Sequence, residues 1–168
     1  MRILGIDPGY AIVGYGAVEC HAGQYRPLAY GAIITEAEDS FPRRLEIIYQ
    51  DLSEILETWK PEAVSIEKLF FYNNQKTAIS VAEARGVILL ALEKKKIPIF
   101  EYTPLQVKTA VTGYGQAGKT QVMEMTRRLL HLKEIPRPDD AADALAMAIC
   151  HGQSAVSLNR RAFFMGGK

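Results

Sequence analysis

The chain has 168 residues, of which 48% are hydrophobic and 23% charged, and a net charge of +1. This composition is typical of one globular domain with its own core, and it excludes a disordered or fibrous chain. The two cysteines, Cys20 and Cys150, are far apart and in no metal-ligand spacing, which predicts buried thiols in a reducing compartment. The most apolar stretch, residues 87–92, is too short to span a membrane, so we expect a cytoplasmic protein without membrane contact.

Three strands are predicted first, at residues 3–7, 12–19 and 25–34, as a meander punctuated by Gly14, Gly16 and a turn at 21–23. Ser40 is a predicted cap for the helix that follows. Apolar residues at spacings of three and four give that helix one buried stripe, and Pro61 ends it. The stripe consists of Leu45, Ile48, Leu52, Ile55 and Trp59.

The rest of the chain predicts a strand at 63–67, a long helix at 73–93 and a last strand at 97–102. Helices follow, with breaks near 113–118 and at Pro136 and Pro138. This order favours an α/β fold, in which a mixed sheet carries helices on its faces. We expect one domain over residues 1–152 and a flexible C-terminal tail over 153–168.

Two of the predicted strands end on a carboxylate, Asp7 in the first and Glu67 in the fourth. A charged group after a buried strand is costly unless a metal or a base pairs with it. Strand ends are also where sites form in α/β folds. Asp7 could instead cap the turn at Pro8-Gly9, and its own segment does not decide between the two.

A third acidic group lies after Pro138. Asp139 is a natural helix cap, and Asp140 is a favourable acid in a first helical turn. Asp143 lies inside a run of small residues that would pack closely, so it is expected to face something specific. Residues three or four apart share a helix face, so Asp143 could act with Asp140 or with Asp139, and spacing does not choose. A cap plus one exposed acid is the simpler alternative.

Oxygen ligands on three separate elements suit Mg²⁺ or Mn²⁺ rather than zinc. Two such ions about 3.5–4 Å apart can activate water and stabilise the leaving oxygen in phosphodiester hydrolysis. Residues 94–133 carry 8 Lys and Arg against 2 Asp and Glu, which would suit a phosphate backbone. Solvated helix faces explain the same charges. Glycosidases also use paired carboxylates but need one kept protonated, which nothing in the sequence indicates.

Residues 113–120 (GYGQAGKT) fit the P-loop pattern letter for letter and raise the alternative of a nucleotide-binding protein. That motif needs a strand running directly into the glycine loop and a helix after it. Residues 104–111 instead predict a helix before the loop. We therefore expect no bound nucleotide and a loop that presents Lys119 to a DNA phosphate.

Together these residues closely resemble the RuvC family of bacterial Holliday junction resolvases. The matching motifs run in order over nearly the whole chain: GIDPG at 5–9 with GYG at 14–16, Ile66-Glu67 followed by Phe70, EARG at 83–86, QVK at 106–108, Gly118-Lys119, and DAADALA at 140–146. A non-catalytic DNA-binding relative is a further alternative. The intact acidic quartet argues against it, since an idle site would hold four repelling charges.

The resemblance implies an RNase H-like fold with a mixed five-stranded sheet and helices on both faces. It implies a homodimer that cuts four-way junction DNA by paired symmetric nicks in recombination and repair, working with the branch-migration complex RuvA and RuvB. The helix at 73–93 has apolar residues on more than one face. This pattern suits a dimer interface or an ordinary core helix.

The resemblance also implies roles for individual residues. The catalytic metal ligands would be Asp7, Glu67, Asp140 and Asp143, holding two Mg²⁺ ions per subunit that Mn²⁺ can replace. The family motif thereby selects Asp140 over Asp139, although some members carry histidine at this position. Asp7 and Asp140 would hold one ion and Glu67 the other, with Asp7 shared. Three further residues would bind DNA, Phe70 by stacking on a base, and Lys108 and Lys119 at phosphates.

Overall fold

The computed structural model describes residues 1–68 and 75–165, with side chains described for 1–68 and 77–155. The elements in chain order are β1 Arg2–Asp7, β2 Ile12–His21, β3 Gln24–Ile34, α1 Phe41–Trp59, β4 Ala63–Glu67, α2 Gln75–Lys94, β5 Ile99–Tyr102, α3 Pro104–Thr112, α4 Lys119–Leu129 and α5 Asp139–Met165. Every predicted strand and helix has a counterpart among them. The first two residues of the predicted helix at 73–93 lie outside the described part of the chain.

The five strands form one mixed sheet in the order β3-β2-β1-β4-β5. The meander β1-β2-β3 is antiparallel, whereas β4 runs parallel to both β1 and β5. This arrangement confirms the predicted mixed α/β sheet. It also places β1 and β4, the two strands that end on a carboxylate, side by side at its centre.

Alternation along β1 divides the core into two layers, because successive side chains of a strand point to opposite faces. Leu4 and Ile6 are fully buried in a cluster with residues of α1 and α2. Ile3 is buried on the other face, in a cluster with residues of α3, α4 and α5. Helices therefore cover both faces of the sheet, as predicted.

Helix α1 buries Ile48 and Leu52 of the predicted stripe, together with Leu56, which the stripe did not include. The other members, Leu45, Ile55 and Trp59, are partly buried and pack against the same cluster. Ser40 is the residue before the helix, as expected, but its side chain makes no capping hydrogen bond. That part of the prediction is wrong. At the other end Lys60 adopts a left-handed conformation, with φ of 44°, and its amide bonds to the carbonyl of Leu56, so the helix ends just before Pro61.

Helix α5 packs directly on β1 and β2 because glycines leave room for its backbone. A Cβ on Gly5 would lie 1.8 Å from the carbonyl oxygen of Ala144, and one on Gly14 2.1 Å from that of Asp140. A Cβ on Gly16 would lie 2.7 Å from Cγ of Leu145. The sequence suggested that Gly14 and Gly16 punctuate the strands. Both instead lie inside β2, where the missing side chains admit a close helix.

Several bulk predictions can be compared with the structure. Cys20 and Cys150 are both buried free thiols, as expected. Helix α5 continues to Met165, so the backbone of the expected tail is helical over most of its length. Among the described helices, none combines the length and the apolar character that crossing a membrane requires.

Candidate active site

Asp7 and Glu67 end adjacent parallel strands on the face of the sheet that α5 covers. Alternation puts Asp7 on the same face as Gly5, which contacts α5. It likewise puts Glu67 on the face of Ser65, whose hydroxyl donates to the carbonyl of Met147 on α5 at 2.7 Å. Ile6 pairs with Ile66 in the parallel register, and neighbouring strands lie about 4.8 Å apart. The two carboxylates are therefore neighbours at the end of the sheet where β1 and β4 finish.

The first turns of α5 bring two more carboxylates to the ends of these strands. Asp140 packs its backbone over Gly14 of β2, and one turn later Asp143 reaches the same cavity as Asp7 and Glu67. The cavity has a volume of about 230 Å³. Besides these three acids it is lined by Lys108 and Lys119 and by the apolar residues Pro104, Val107, Val122, Ala146 and Met147.

The cavity concentrates negative charge. Burial raises the pKa of Asp7 to about 8, helped by the neighbouring charges of Glu67, Asp143 and Asp140 and opposed by Lys119. Burial and the charge of Asp143 raise the pKa of Glu67 as well. Burial also raises the pKa of Asp143, although Lys119 acts in the opposite direction. These carboxylates resist holding their full charge together without a cation beside them.

Two lysines from different helices provide positive charge at the cavity. Lys119 is the first residue of α4, and its Nζ lies 3.2 Å from Oδ2 of Asp143 and 3.4 Å from Oδ2 of Asp139. Asp139 also pairs with Arg137. Lys108 reaches the same cavity from α3. Asp139 is the first residue of α5 and pairs with two cations, but unlike Asp143 it does not line the cavity.

The glycine loop lacks the surroundings of a P-loop, as the sequence predicted. Helix α3 precedes it, capped by reciprocal hydrogen bonds between Thr103 and Gln106, and ends at Gly113 with φ of 75°. The nearest preceding strand ends at Tyr102, before that helix. The loop therefore joins two helices, and its role in this structure is to carry Lys119 to the carboxylates.

The donor set suits a hard divalent cation, since it consists of carboxylate oxygens around a shared cavity. The ammonium group of Lys119 already occupies the position of a cation beside Asp143. Among the described side chains, those of residues 1–68 and 77–155, no three acidic, histidine or cysteine groups are gathered around one point. The site thus fits a divalent cation in its charge and in the chemistry of its donor atoms.

The structure brings Asp7, Glu67, Asp143, Lys108 and Lys119 to one cavity and sets Asp140 beside it. Phe70 lies outside the described residues.

Sequence reasoning missed the glycines under α5 and the buried Ser65. Glycines at alternate positions inside a strand pattern were the available signal for a close backbone approach. Ser65 carried no comparable signal, because its helix partner is a backbone carbonyl distant in sequence.

Comparisons with known proteins agree with this architecture. The family model described as crossover junction endodeoxyribonuclease RuvC matches residues 3–151. A RuvC protein of Brevibacillus brevis is 57% identical over 91% of this chain and 92% of its own length. One from Petrotoga mobilis is 55% identical over 90% and 93%.

Solved structures give the same result. RuvC of Thermus thermophilus in complex with a Holliday junction substrate is 38% identical, with a TM-score of 0.88 over 94% of this chain and 96% of that one. The yeast mitochondrial Holliday junction resolvase Ydc2 is 14% identical with a TM-score of 0.64, a likeness of fold alone. The fold is the RNase H-like fold of these resolvases. Since its match covers nearly the whole chain, this protein belongs to the RuvC family of crossover junction endodeoxyribonucleases.

Proposed function

We propose that this protein resolves Holliday junctions in DNA recombination and repair by cutting two opposed strands symmetrically. The observation that carries the proposal is the cavity itself, in which acids from two strand ends and one helix meet two lysines. Its support is the RuvC structure solved with a Holliday junction substrate, which this chain matches over 94% of its length.

The four carboxylates would hold two Mg²⁺ ions per subunit, and Mn²⁺ would replace them. Asp7 and Asp140 would bind one ion and Glu67 the other, with Asp7 shared and Asp143 completing the set. Bound divalent cations supply an activated water and stabilise charge on the phosphate. The raised pKa of Asp7 supports this assignment, because a cation would compensate the charge that burial disfavours.

The remaining predicted residues would bind and position DNA. Lys108 and Lys119 would contact phosphates near the cut, where their charge adds salt-dependent affinity and stabilises the transition state. Phe70 would stack on a base at the crossover, where bases are partly unstacked.

Substitution of Phe70 by alanine should lower junction cleavage by about tenfold or more, since a stacked base contributes about 1–3 kcal/mol. The melting temperature should change much less. Wild-type cleavage rates in this variant would refute the stacking role.

A homodimer would present two such sites to opposed strands, and we propose that α2 forms its interface. Ala84 and Ile88 are buried in the core cluster shared with α1, β1 and β4, whereas Ile79 and Leu90 are 72% and 56% exposed on another face. Gly86 lies on that face, with open space where a side chain would be. Leu90→Glu should therefore shift the protein toward monomer in sedimentation experiments, and an unchanged mass would exclude this interface. We also propose cooperation with RuvA and RuvB in the bacterial cytoplasm.

The central experiment uses a synthetic four-way junction with each strand labelled in turn. With Mg²⁺ the wild-type protein should nick two opposed strands at symmetric positions and leave a linear duplex of the same sequence intact. Asp7→Asn should abolish the nicks while junction binding in Ca²⁺ persists. No cleavage with Mg²⁺ or Mn²⁺, or equal cleavage by Asp7→Asn, would contradict the proposal.

A further inference from the structure

Lys119 and Lys108 line the same cavity but differ in their contacts. The Lys119 ammonium pairs with Asp143 at 3.2 Å and Asp139 at 3.4 Å. Lys108 lines the cavity without an ion pair to any of the described residues. Burial lowers the pKa of Lys119, but Asp143 and Asp139 together raise it above its ordinary value. Lys119 is therefore bound to the acidic cluster, whereas Lys108 only borders it.

We propose that Lys119 is a built-in counter-cation of the acidic cluster, which competes with the divalent metal ion for Asp143 and is released toward the DNA when the metal binds. The proposal rests on the metal site proposed above, and it gives Lys119 a role before DNA arrives. In the metal-free protein the ammonium group would limit repulsion among the carboxylates. In the metal-bound protein the ammonium group would contact a DNA phosphate.

Competition follows from shared ligands. Oδ2 of Asp143 forms an ion pair with the Lys119 ammonium, and a divalent cation bound by the same carboxylate would repel that ammonium at short range. The coupling is reciprocal, so the lysine must weaken the metal by the same factor by which the metal weakens the lysine's ion pair.

Asp139 makes the release possible without leaving an unpaired charge behind. Its carboxylate pairs with Arg137 as well as with Lys119. When Lys119 leaves, Asp139 keeps the guanidinium. This division of labour accounts for two adjacent acids with different neighbours, Asp139 among cations and Asp140 beside Asp7.

The first test measures Mn²⁺ binding to the DNA-free protein by the loss of the free-ion signal in electron paramagnetic resonance. Lys119→Met should bind Mn²⁺ about fivefold to tenfold more tightly than wild type, because its competitor is gone. The matched control Lys108→Met, which removes the same charge from the same cavity, should change affinity by about twofold or less. Lys119→Arg keeps a cation and should stay near wild type.

Two results would overturn the proposal. One is an unchanged Mn²⁺ affinity in Lys119→Met, and the other is an equal gain in both methionine variants, which would indicate only a general field of positive charge. Lys119 is 57% exposed, so its substitution should leave the fold intact. Thermal melting checks this, and Lys119→Gln replaces the methionine variant if the latter does not fold.

The second test follows the release itself through the salt dependence of junction binding. In EDTA, Lys119 is held by the acids, so wild type and Lys119→Met should show the same slope of log affinity against log salt. In Ca²⁺ the wild-type slope should be steeper by about one phosphate contact, and the difference should vanish in Lys119→Met. An equal difference between the two proteins in both media would contradict a metal-driven release.

These outcomes are separable from failure of the proposed function. A protein that cuts junctions but shows no Lys119 effect on Mn²⁺ binding loses only the counter-cation. If the Mn²⁺ affinity responds to Lys119 but the protein never cuts a junction, the proposed activity is refuted and the competition between Lys119 and the metal is still supported.

Discussion

The two faces of the central sheet are packed by different means. On the face covered by α1 and α2, large aliphatic side chains interdigitate, with Leu4 and Ile66 against Leu52 and Ile88. On the face covered by α5, over β1 and β2, glycine meets helix backbone.

Side-chain packing of the first kind tolerates rearrangement, because neighbouring residues can repack around a change. Backbone contact of the second kind fixes the distance and rotation of a helix with little freedom. The carboxylates lie on the backbone-packed face, where α5 must hold Asp140 and Asp143 at a set position relative to Asp7. We infer that the backbone contacts under α5 set the position of the acids, whereas hydrophobic side chains buried on both faces stabilise the fold.

The most damaging change to this arrangement should be Gly5→Ala. The added Cβ would lie 1.8 Å from the carbonyl of Ala144, so α5 would have to move away from the sheet. We expect a loss of about 3 kcal/mol or more in the free energy of unfolding. Cleavage per folded molecule should also be lost, because the helix acids move with α5. Urea unfolding and junction cleavage measure the two effects, and full activity in folded Gly5→Ala protein would contradict the inference.

The corresponding change on the other face is Leu52→Ala, at a residue only 1% exposed. It should cost about 2–5 kcal/mol, through lost burial and the cavity left behind. Cleavage per folded molecule should stay within about twofold of wild type at a temperature where the variant is folded, because nothing on the α5 face has moved. An activity loss as deep as that of Gly5→Ala would remove the distinction between the two faces.

A smaller effect is expected from pH in metal-free protein. Burial and the neighbouring acids raise the pKa of Asp7 from its ordinary value of 3.8 to about 8 in the folded chain. Between those values the folded state binds more protons than the unfolded state, so the free energy of unfolding should fall as pH rises from about 4 to about 8.

Asp7→Asn removes this penalty and should be more stable than wild type by about 1–2 kcal/mol at pH 8. We expect less than the full pKa shift would give, because the side chain keeps some contact with solvent. The advantage should fade toward pH 4. Saturating Mg²⁺ should stabilise the wild type and leave the variant unaffected. Parallel stability curves at all pH values would contradict a buried charge at Asp7.

The smallest effect is predicted for Gly86→Ala on α2. A Cβ there meets nothing within 4 Å in the single chain, so alanine should gain about 0.5–1 kcal/mol from helix propensity. A dimer interface on this face would offset the gain at high protein concentration. Melting temperatures measured over a range of concentrations separate the two contributions. A destabilised monomer would contradict the expectation that a Cβ at position 86 meets no neighbouring atom.

Much of the architecture follows from local signals in the sequence. Short apolar runs bounded by turn residues predicted the five strands, and the order of strands and helices predicted a mixed sheet with helices on its faces. Asp7 and Glu67 were predictable as neighbours because each ends a buried apolar run. These features depend on periodicity over five to twenty residues, which a single sequence carries.

Other features depend on contacts between distant segments. Gly14 faces Asp140, and Ser65 binds the carbonyl of Met147. No local pattern announces either partner. The choice between Asp139 and Asp140 came from family resemblance, since both share a face with Asp143. The ion pairs of Lys119 likewise could not be predicted without the positions of α4 and α5. The sequence around Lys119 matches the P-loop pattern instead, which points to a nucleotide rather than to the acids of α5.

The most direct test of the account is anomalous diffraction from crystals grown with Mn²⁺. The account predicts an anomalous peak in the cavity, with a carboxylate oxygen of Asp7 as a ligand at about 2.0–2.2 Å and with Glu67 or Asp140 completing the shell. In the same crystals Nζ of Lys119 should have moved away from Asp143. Mn²⁺ bound elsewhere with Asp7 unligated, or no peak in the cavity at saturating Mn²⁺, would contradict the four-carboxylate site.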